Sequence, residues 1–221
     1  MREEPTRPFE PGTITRLVAQ KKNPDRVSVF VDGAFAFGIY KDLVLEFGLK
    51  KGREISVEEA ETILKADALL IARSRALKYL AHKPRTQDEV RKKLRDSGLE
   101  AESIERVLDR IAAMGLLDDA AYAHDYVKSR INSRGYGPER IRRELIRRGV
   151  DSDLVEEALR EELEGYDLLE VARSQANRRW EVLKREPDPL KRRRRLAGYL
   201  QRRGFDYDVV RSVVEALERG G

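Results

Sequence analysis

Apolar residues alternate with polar ones over short runs near the start of the chain and fall at helical spacing over the rest. Ile14–Ala19 and Arg26–Val31 read as strands, the second with clear alternation. Asp32-Gly33 is a hairpin turn signal and Ala34–Ile39 the return strand. Asp42–Phe47 predicts a short helix ended by Gly48, and Lys51–Ile55 a turn into a brief strand. Ser56-Val57-Glu58-Glu59 is a capping box, in which Ser56 and Glu59 are expected to satisfy each other's backbone amides. It starts a helix through Ala60, Ile63, Leu64, Ala68 and Leu69 that runs on, straight or bent, into Ala72–Leu80.

Beyond that point one helical pattern recurs three times. Val90-x3-Leu94-x3-Gly98-Leu99, Ile141-x3-Leu145-x3-Gly149-Val150 and Leu196-x3-Leu200-x3-Gly204-Phe205 share one spacing. Ile104, Val155 and Val210 follow the glycines by six residues, and Leu108, Leu159 and Val214 by ten. The glycines are 51 and then 55 residues apart. An apolar face that keeps its register through three copies marks a repeat of helical units. Asp118-Asp119 caps the first helix of the central copy, which bears Tyr122 and Tyr126 on one face. Gly135-Tyr136-Gly137-Pro138 breaks it, with Pro138 suited to a first helical position.

The expected fold is therefore mainly α: three tandem three-helix repeats in an elongated curved array, preceded by a small β-rich N-terminal domain. Residues 1–12 form a loose proline-rich tail, 13–55 the β-rich domain, and 56–117 a linking helix with the first repeat. Residues 118–165 form the second repeat and 166–221 the third. The repeats are expected to pack side by side through Ile141, Leu145 and their equivalents. Residues 1–55 are expected to be dispensable for folding of the helical part.

Composition narrows the chemistry. The 221 residues are 38% charged and contain no cysteine, which removes disulfides, thiolate metal sites and a thiol nucleophile. His82 and His124 lie far apart, and neither GxxxxGK[ST] nor GxGxxG occurs, so neither a metal nor a nucleotide cofactor is expected. With no signal peptide and no apolar run near the length of a membrane span, a cytoplasmic monomer is expected.

The net charge of +5 conceals segregation. Lys128–Arg148 holds eight basic residues against two acidic, Asp151–Glu170 one against nine, and Arg173–Arg203 twelve against three. Blocks of that size point to a polyanionic partner. The acidic block, Glu156, Glu157, Glu161, Glu162 and Glu164, reads as a solvated face, because consecutive carboxylates on a helix point apart. Core packing is the better reading for Tyr122 and Tyr126, and packing between repeats for Trp180.

The string Leu-Asp-Asp…Tyr-Ala-x-x-Tyr-Val-x-x-Arg…Gly…Arg-Ile-x-x-Glu-Leu-x-x-Arg-Gly-Val over Leu117–Val150 resembles the RecX family of bacterial recombination regulators. The resemblance extends from Ala76 to Leu217, with Ala76–Leu80 and Thr86–Leu94 similar to the family's first unit. It implies a non-enzymatic modulator, without catalytic residues, that lies in the groove of the RecA recombinase filament and restrains its activity in recombination and DNA repair. The β-rich region is similar to an extension seen in some members only.

Candidate contacts are Arg130, Arg134, Arg140, Arg143, Arg147, Arg148, Arg194, Arg195, Arg202 and Arg203. Arg140, Arg143 and Arg147 lie within about 60° of one another on a helix, away from Ile141 and Leu145. In the first repeat the positions of Arg140, Arg147 and Arg148 hold Glu89, Asp96 and Ser97. Structural demands common to three repeats would not invert charge in one of them, so the inversion is expected to serve binding. The bland alternative is a solvated arginine face with pairs such as Glu144 with Arg140 or Arg148. A direct DNA-binding protein of helix-turn-helix type, touching single- or double-stranded DNA, is the competing function. The acidic third helices, such as Ser152–Leu163, argue against it.

Overall fold

The computed structural model describes residues 9–219, so the tail expected over residues 1–12 lies mostly outside them. Strands β1 (Gly12–Gln20), β2 (Asn23–Val31), β3 (Ala34–Tyr40) and β4 (Glu54–Ile55) form one antiparallel sheet in the order β3-β2-β1-β4. The β2–β3 turn needs positive φ at both central residues, and Asp32 (46°) and Gly33 (86°) supply it. Register shifts between Ile14 and Arg16 and between Val29 and Phe30 curl the sheet. Its inner face buries Ile14, Val29, Val31, Phe37 and Ile39, with Phe9 packed on Phe37 at 5.8 Å between ring centroids.

That face is closed from outside the sheet. Leu43 of α1 (Lys41–Glu46), Leu49, and Ala60 and Ile63 of α2 (Val57–Leu80) complete the core. Helix α2 runs unbroken for 24 residues. Ser56 accepts the Glu59 amide at 3.2 Å, but the Glu59 carboxylate pairs with Arg53 and does not return to Ser56, so the capping box is only half formed. Asp67, buried on α2, takes the Arg26 guanidinium at 2.9 Å and the Tyr40 amide at 2.8 Å. Removing residues 1–55 would therefore strip Ala60, Ile63 and Asp67 of their partners. The core of the sheet thus crosses the Ser56 cap into α2, while the cores of the second and third repeats contain no residue of this segment.

Eight more helices follow: α3 (Gln87–Arg95), α4 (Ala101–Ala113), α5 (Asp119–Arg134), α6 (Pro138–Arg147), α7 (Ser152–Leu163), α8 (Leu168–Leu183), α9 (Pro189–Arg203) and α10 (Tyr207–Arg219). The chain divides into two compact bodies. One runs through His82 and includes Arg91–Ile111; the other takes Lys83–Val90 and the chain from Ala112. Gly98, Gly149 and Gly204 all end their helices at positive φ, at 78°, 79° and 93°. Val90, Leu94, Ile104 and Leu108 are buried, as are their equivalents in the second and third repeats.

Two packing expectations need correction. Ile141 and Leu145 lie in the core of their own repeat, with Val127, Ile131, Val155 and Leu159, and do not join it to its neighbours. Three helices in a bundle each present one apolar stripe inward, which leaves the ends for contact with the next repeat. Trp180 likewise packs on the third repeat's own core under Arg192, whose guanidinium lies 5.4 Å from the ring centroid. Tyr122 and Tyr126 stack at 5.9 Å in the second repeat, as packing residues should.

Asp67→Ala leaves the Tyr40 amide without its acceptor and Arg26 with the Gly38 carbonyl in place of a carboxylate. Loss of one partner of a buried pair costs about 3–5 kcal/mol, here at the lower end because Arg26 keeps some solvent access. Denaturant unfolding should show that loss; an unchanged midpoint would mean that the sheet does not depend on α2.

Candidate interaction surface

The second helices of the second and third repeats meet end to end. A helix leaves its first N–H groups and last carbonyls without internal partners. At the start of α6, the Gly137 amide donates to the Arg203 carbonyl at 2.8 Å and the Glu139 amide to the Gly204 carbonyl at 3.0 Å. Pro138, between them, has no N–H to satisfy. The approach is as close as two backbones allow. A β-carbon built on Gly137 would stand 2.4 Å from the Gly204 carbonyl carbon and 2.6 Å from the Phe205 nitrogen.

The other end of α6 meets the start of α3 in the same register, with side chains in place of backbone. Thr86, the equivalent of Gly137, donates its hydroxyl to the Arg148 carbonyl at 2.6 Å and accepts the Glu89 amide at 3.2 Å. Asp119 accepts the Gln87 amide at 2.8 Å. Arg148 then pairs with Glu89 and lies 5.2 Å from the centroid of the Tyr126 ring.

Charge at the two joints differs. Around Tyr126, Arg130 and Arg148 are balanced by Glu144 and Glu89. Burial pushes the Glu144 carboxyl up, but the Tyr126 hydroxyl and Arg140 outweigh it and hold the group below its usual range. At the α6–α9 joint, Tyr136 sits between Arg140 at 3.8 Å and Arg203 at 5.4 Å, while Arg203 donates to the Arg134 carbonyl. Arg202 and Arg134 stand exposed beside them with no carboxylate partner among the described residues. Glu144, already held by Tyr126 and Arg140, is the acid paired at this cluster.

Comparison with known proteins agrees with this architecture along nearly its whole length. The family model described as the regulatory protein RecX N-terminal domain matches residues 12–56. Those described as the first, second and third RecX three-helix domains match 72–110, 118–159 and 166–214. A regulatory protein RecX from Clostridium acetobutylicum is 33% identical over 211 residues, which is 95% of this chain and 98% of that one. One from Clostridioides difficile is 34% identical over 206 residues, 93% and 96% of the two chains. The chain belongs to the RecX family. A crystal structure of regulatory protein RecX superposes with a TM-score of 0.70 at 29% identity over 92% of this chain and 98% of its own. RecX from Lactobacillus salivarius gives 0.61 at 25% identity, covering 69% and 98%. The N-terminal match carries the likeness past the Ala76 limit drawn from the residues alone.

Within this RecX chain the ten candidate arginines separate into two groups. Arg130, Arg140, Arg148, Arg195 and Arg203 have internal partners: Glu144 for the first two, Glu89, Glu186, and the Arg134 carbonyl. Arg134, Arg143, Arg147, Arg194 and Arg202 are exposed and have no carboxylate partner among the described residues, and Arg143 Nε donates only to the Glu139 carbonyl of its own helix, at 3.1 Å. Arg143 and Arg147 are one turn apart on α6. The charge inversion in the first RecX repeat has a structural cause, because Glu89 answers Arg148 of the next repeat. The end repeat of a series faces a different neighbour from the middle one, so its demands are not the same.

Three features escaped the reading of the residues. Thr86 and Gly137 carry the joints. The pairs Arg91–Glu105 and Arg142–Glu156 tie second helix to third in the first and second RecX repeats, with Arg142 Nη2 to Glu156 at 2.9 Å. These arginines and glutamates both keep the 51-residue offset, a signal present in the repeat register. The hydrogen bond from Arg142 lowers the Glu156 carboxyl, and Glu105 is lowered in the same way by Arg91. His124 meets Glu162 at 2.8 Å, and Lys128 reaches the same carboxylate. Among the described residues no group of His, Cys, Asp or Glu could hold a metal ion, and no helix is long and apolar enough to cross a membrane.

Gly137→Ala tests the α6–α9 joint cleanly, since φ at this position is an ordinary −81° and only the packing against α9 changes. Forced repacking should cost about 1–3 kcal/mol. Gly165→Ala, with open space around it, should cost little by comparison. Thermal melts of both variants make the comparison.

Proposed function

We propose that this RecX chain is a non-enzymatic, cytoplasmic regulator that binds the RecA recombinase filament as a monomer and modulates its recombination and ATPase activity in DNA repair. The observation that carries the proposal is the excess of exposed positive charge along α5, α6 and α9. Arg134, Arg143, Arg147, Arg194 and Arg202 are left over once the internal pairs are made. Guanidinium groups that stand on helices and have no carboxylate partner suit carboxylate and phosphate oxygens, and a nucleoprotein filament offers both. The helix-turn-helix alternative asks a third helix to enter a DNA groove, yet α7 carries Glu156, Glu157, Glu161 and Glu162.

Arg143→Glu combined with Arg147→Glu keeps every internal pair described above. Binding of this variant to RecA filaments across a salt series should fall sharply, with a slope shallower by about one counterion for each phosphate no longer engaged. Lys92→Glu, exposed on α3, should bind as the parent does. Equal effects of the two changes would return these arginines to a solvated face. Naked DNA and nucleotide-free RecA as parallel targets separate filament binding from direct DNA binding.

A further inference from the structure

The first compact body holds a cavity of about 440 Å³ lined by α1, α2 and α4. Its floor is apolar: Leu43, Val107 and Ile111 are almost fully buried. Its rim is cationic. Arg73 comes from one wall, Arg106 and Arg110 from the other, and Glu46 is the one acid in the lining. Arg106 has Glu102 one turn away at 2.9 Å, a largely exposed pair. Neither Arg73 nor Arg110 has an ion-pair partner among the described residues. The Arg73 Nε is buried and makes no hydrogen bond.

We propose that this cleft docks an acidic amphipathic segment of a partner protein. The Arg73 guanidinium, which has no ion-pair partner among the described residues, offers donors that an arriving carboxylate can engage. Two further guanidinium groups one helical turn apart on α4 match carboxylates set at similar spacing on a peptide. The volume falls in the range of about 300–1,000 Å³ typical of ligand sites, enough for apolar anchors of a helix lying in a groove. Three guanidinium groups, those of Arg73, Arg106 and Arg110, stand around the rim, more than the single carboxylate of a small apolar acid can engage, whereas the acidic side chains of a peptide can meet several of them. The proposal stands apart from the filament reading, which uses arginines of the other body.

The probe is a short fluorescein-labelled synthetic peptide with leucines at helical i, i+3 and i+7 positions and glutamates on both flanks. Its companion carries lysine at every glutamate position. In fluorescence anisotropy with the full chain, the glutamate peptide should bind saturably and the lysine peptide should not. Arg106→Glu with Arg110→Glu, both at exposed positions, should weaken binding by about tenfold or more, which corresponds to 1.4 kcal/mol or above. Arg143→Glu with Arg147→Glu should leave it unchanged. Ala66→Phe fills the cleft with the rim charge intact and should abolish binding. If that variant does not fold, the exposed charge reversals still decide the matter. The proposal is overturned if the glutamate peptide fails to bind, binds the Arg106/Arg110 variant equally well, or still binds a folded Ala66→Phe chain. Saturable binding of decanoate in place of the peptide would assign the cleft to a small apolar acid and also overturn it.

Discussion

Helix ends set the constraint on which the second body depends. Each second helix begins with N–H groups that need acceptors and ends with carbonyls that need donors, and the repeats satisfy one another. The carbonyls of Arg203 and Gly204 meet the amides of Gly137 and Glu139, and the carbonyl of Arg148 meets the hydroxyl of Thr86. Consecutive helices thus continue one another's dipole, positive end to negative end. The second helices are joined through backbone, so Ile141, Leu145, Leu196 and Leu200 turn inward to their own cores, while Tyr166 and Val171 supply apolar contact between the second and third repeats.

The same constraint decides which charges are available to a partner. Arg148 and Arg203, placed just before their C-cap glycines, are drawn into the joints by Glu89 and by the Arg134 carbonyl. Arg140 is held by Glu144 and by the Tyr136 ring. What remains exposed is a smaller set on α5, α6 and α9, with Arg134 and Arg202 beside the α6–α9 joint and Arg143, Arg147 and Arg194 further along the helices. Arginine serves both purposes in this chain, as a planar group that stacks on tyrosine inside and as a fork for oxygens outside. The α6 N-terminus is itself closed to anions, because its amides are already used.

The repeat pattern made most of the fold legible. The glycines at 98, 149 and 204 and the apolar residues in step with them predicted the helices, their ends and their buried faces, because glycine at positive φ and a 3.6-residue apolar period are local properties. The hairpin at Asp32-Gly33 was legible for the same reason. What the residues did not disclose depends on tertiary neighbours. The Ser56 cap suggested a boundary, yet α2 supplies Ala60, Ile63 and Asp67 to the sheet. The arginines were visible as a group, but their division into joint-forming and free members follows from which repeat stands next to which. Glu89 looked like an inverted binding position because its partner is 59 residues away in sequence. The cleft lined by α1, α2 and α4 left no signal, since its walls come from three separate segments.

Native-state hydrogen exchange at Gly137 and Glu139 tests the joint most directly. First-turn amides of a helix ordinarily exchange fast because they lack intrahelical acceptors. If the α9 carbonyls serve as their acceptors, both amides should exchange slowly, with protection comparable to that of amides in the middle of α6. Exchange as fast as that of solvent-open backbone would contradict the end-to-end joint, and with it the division of the arginines that rests on it.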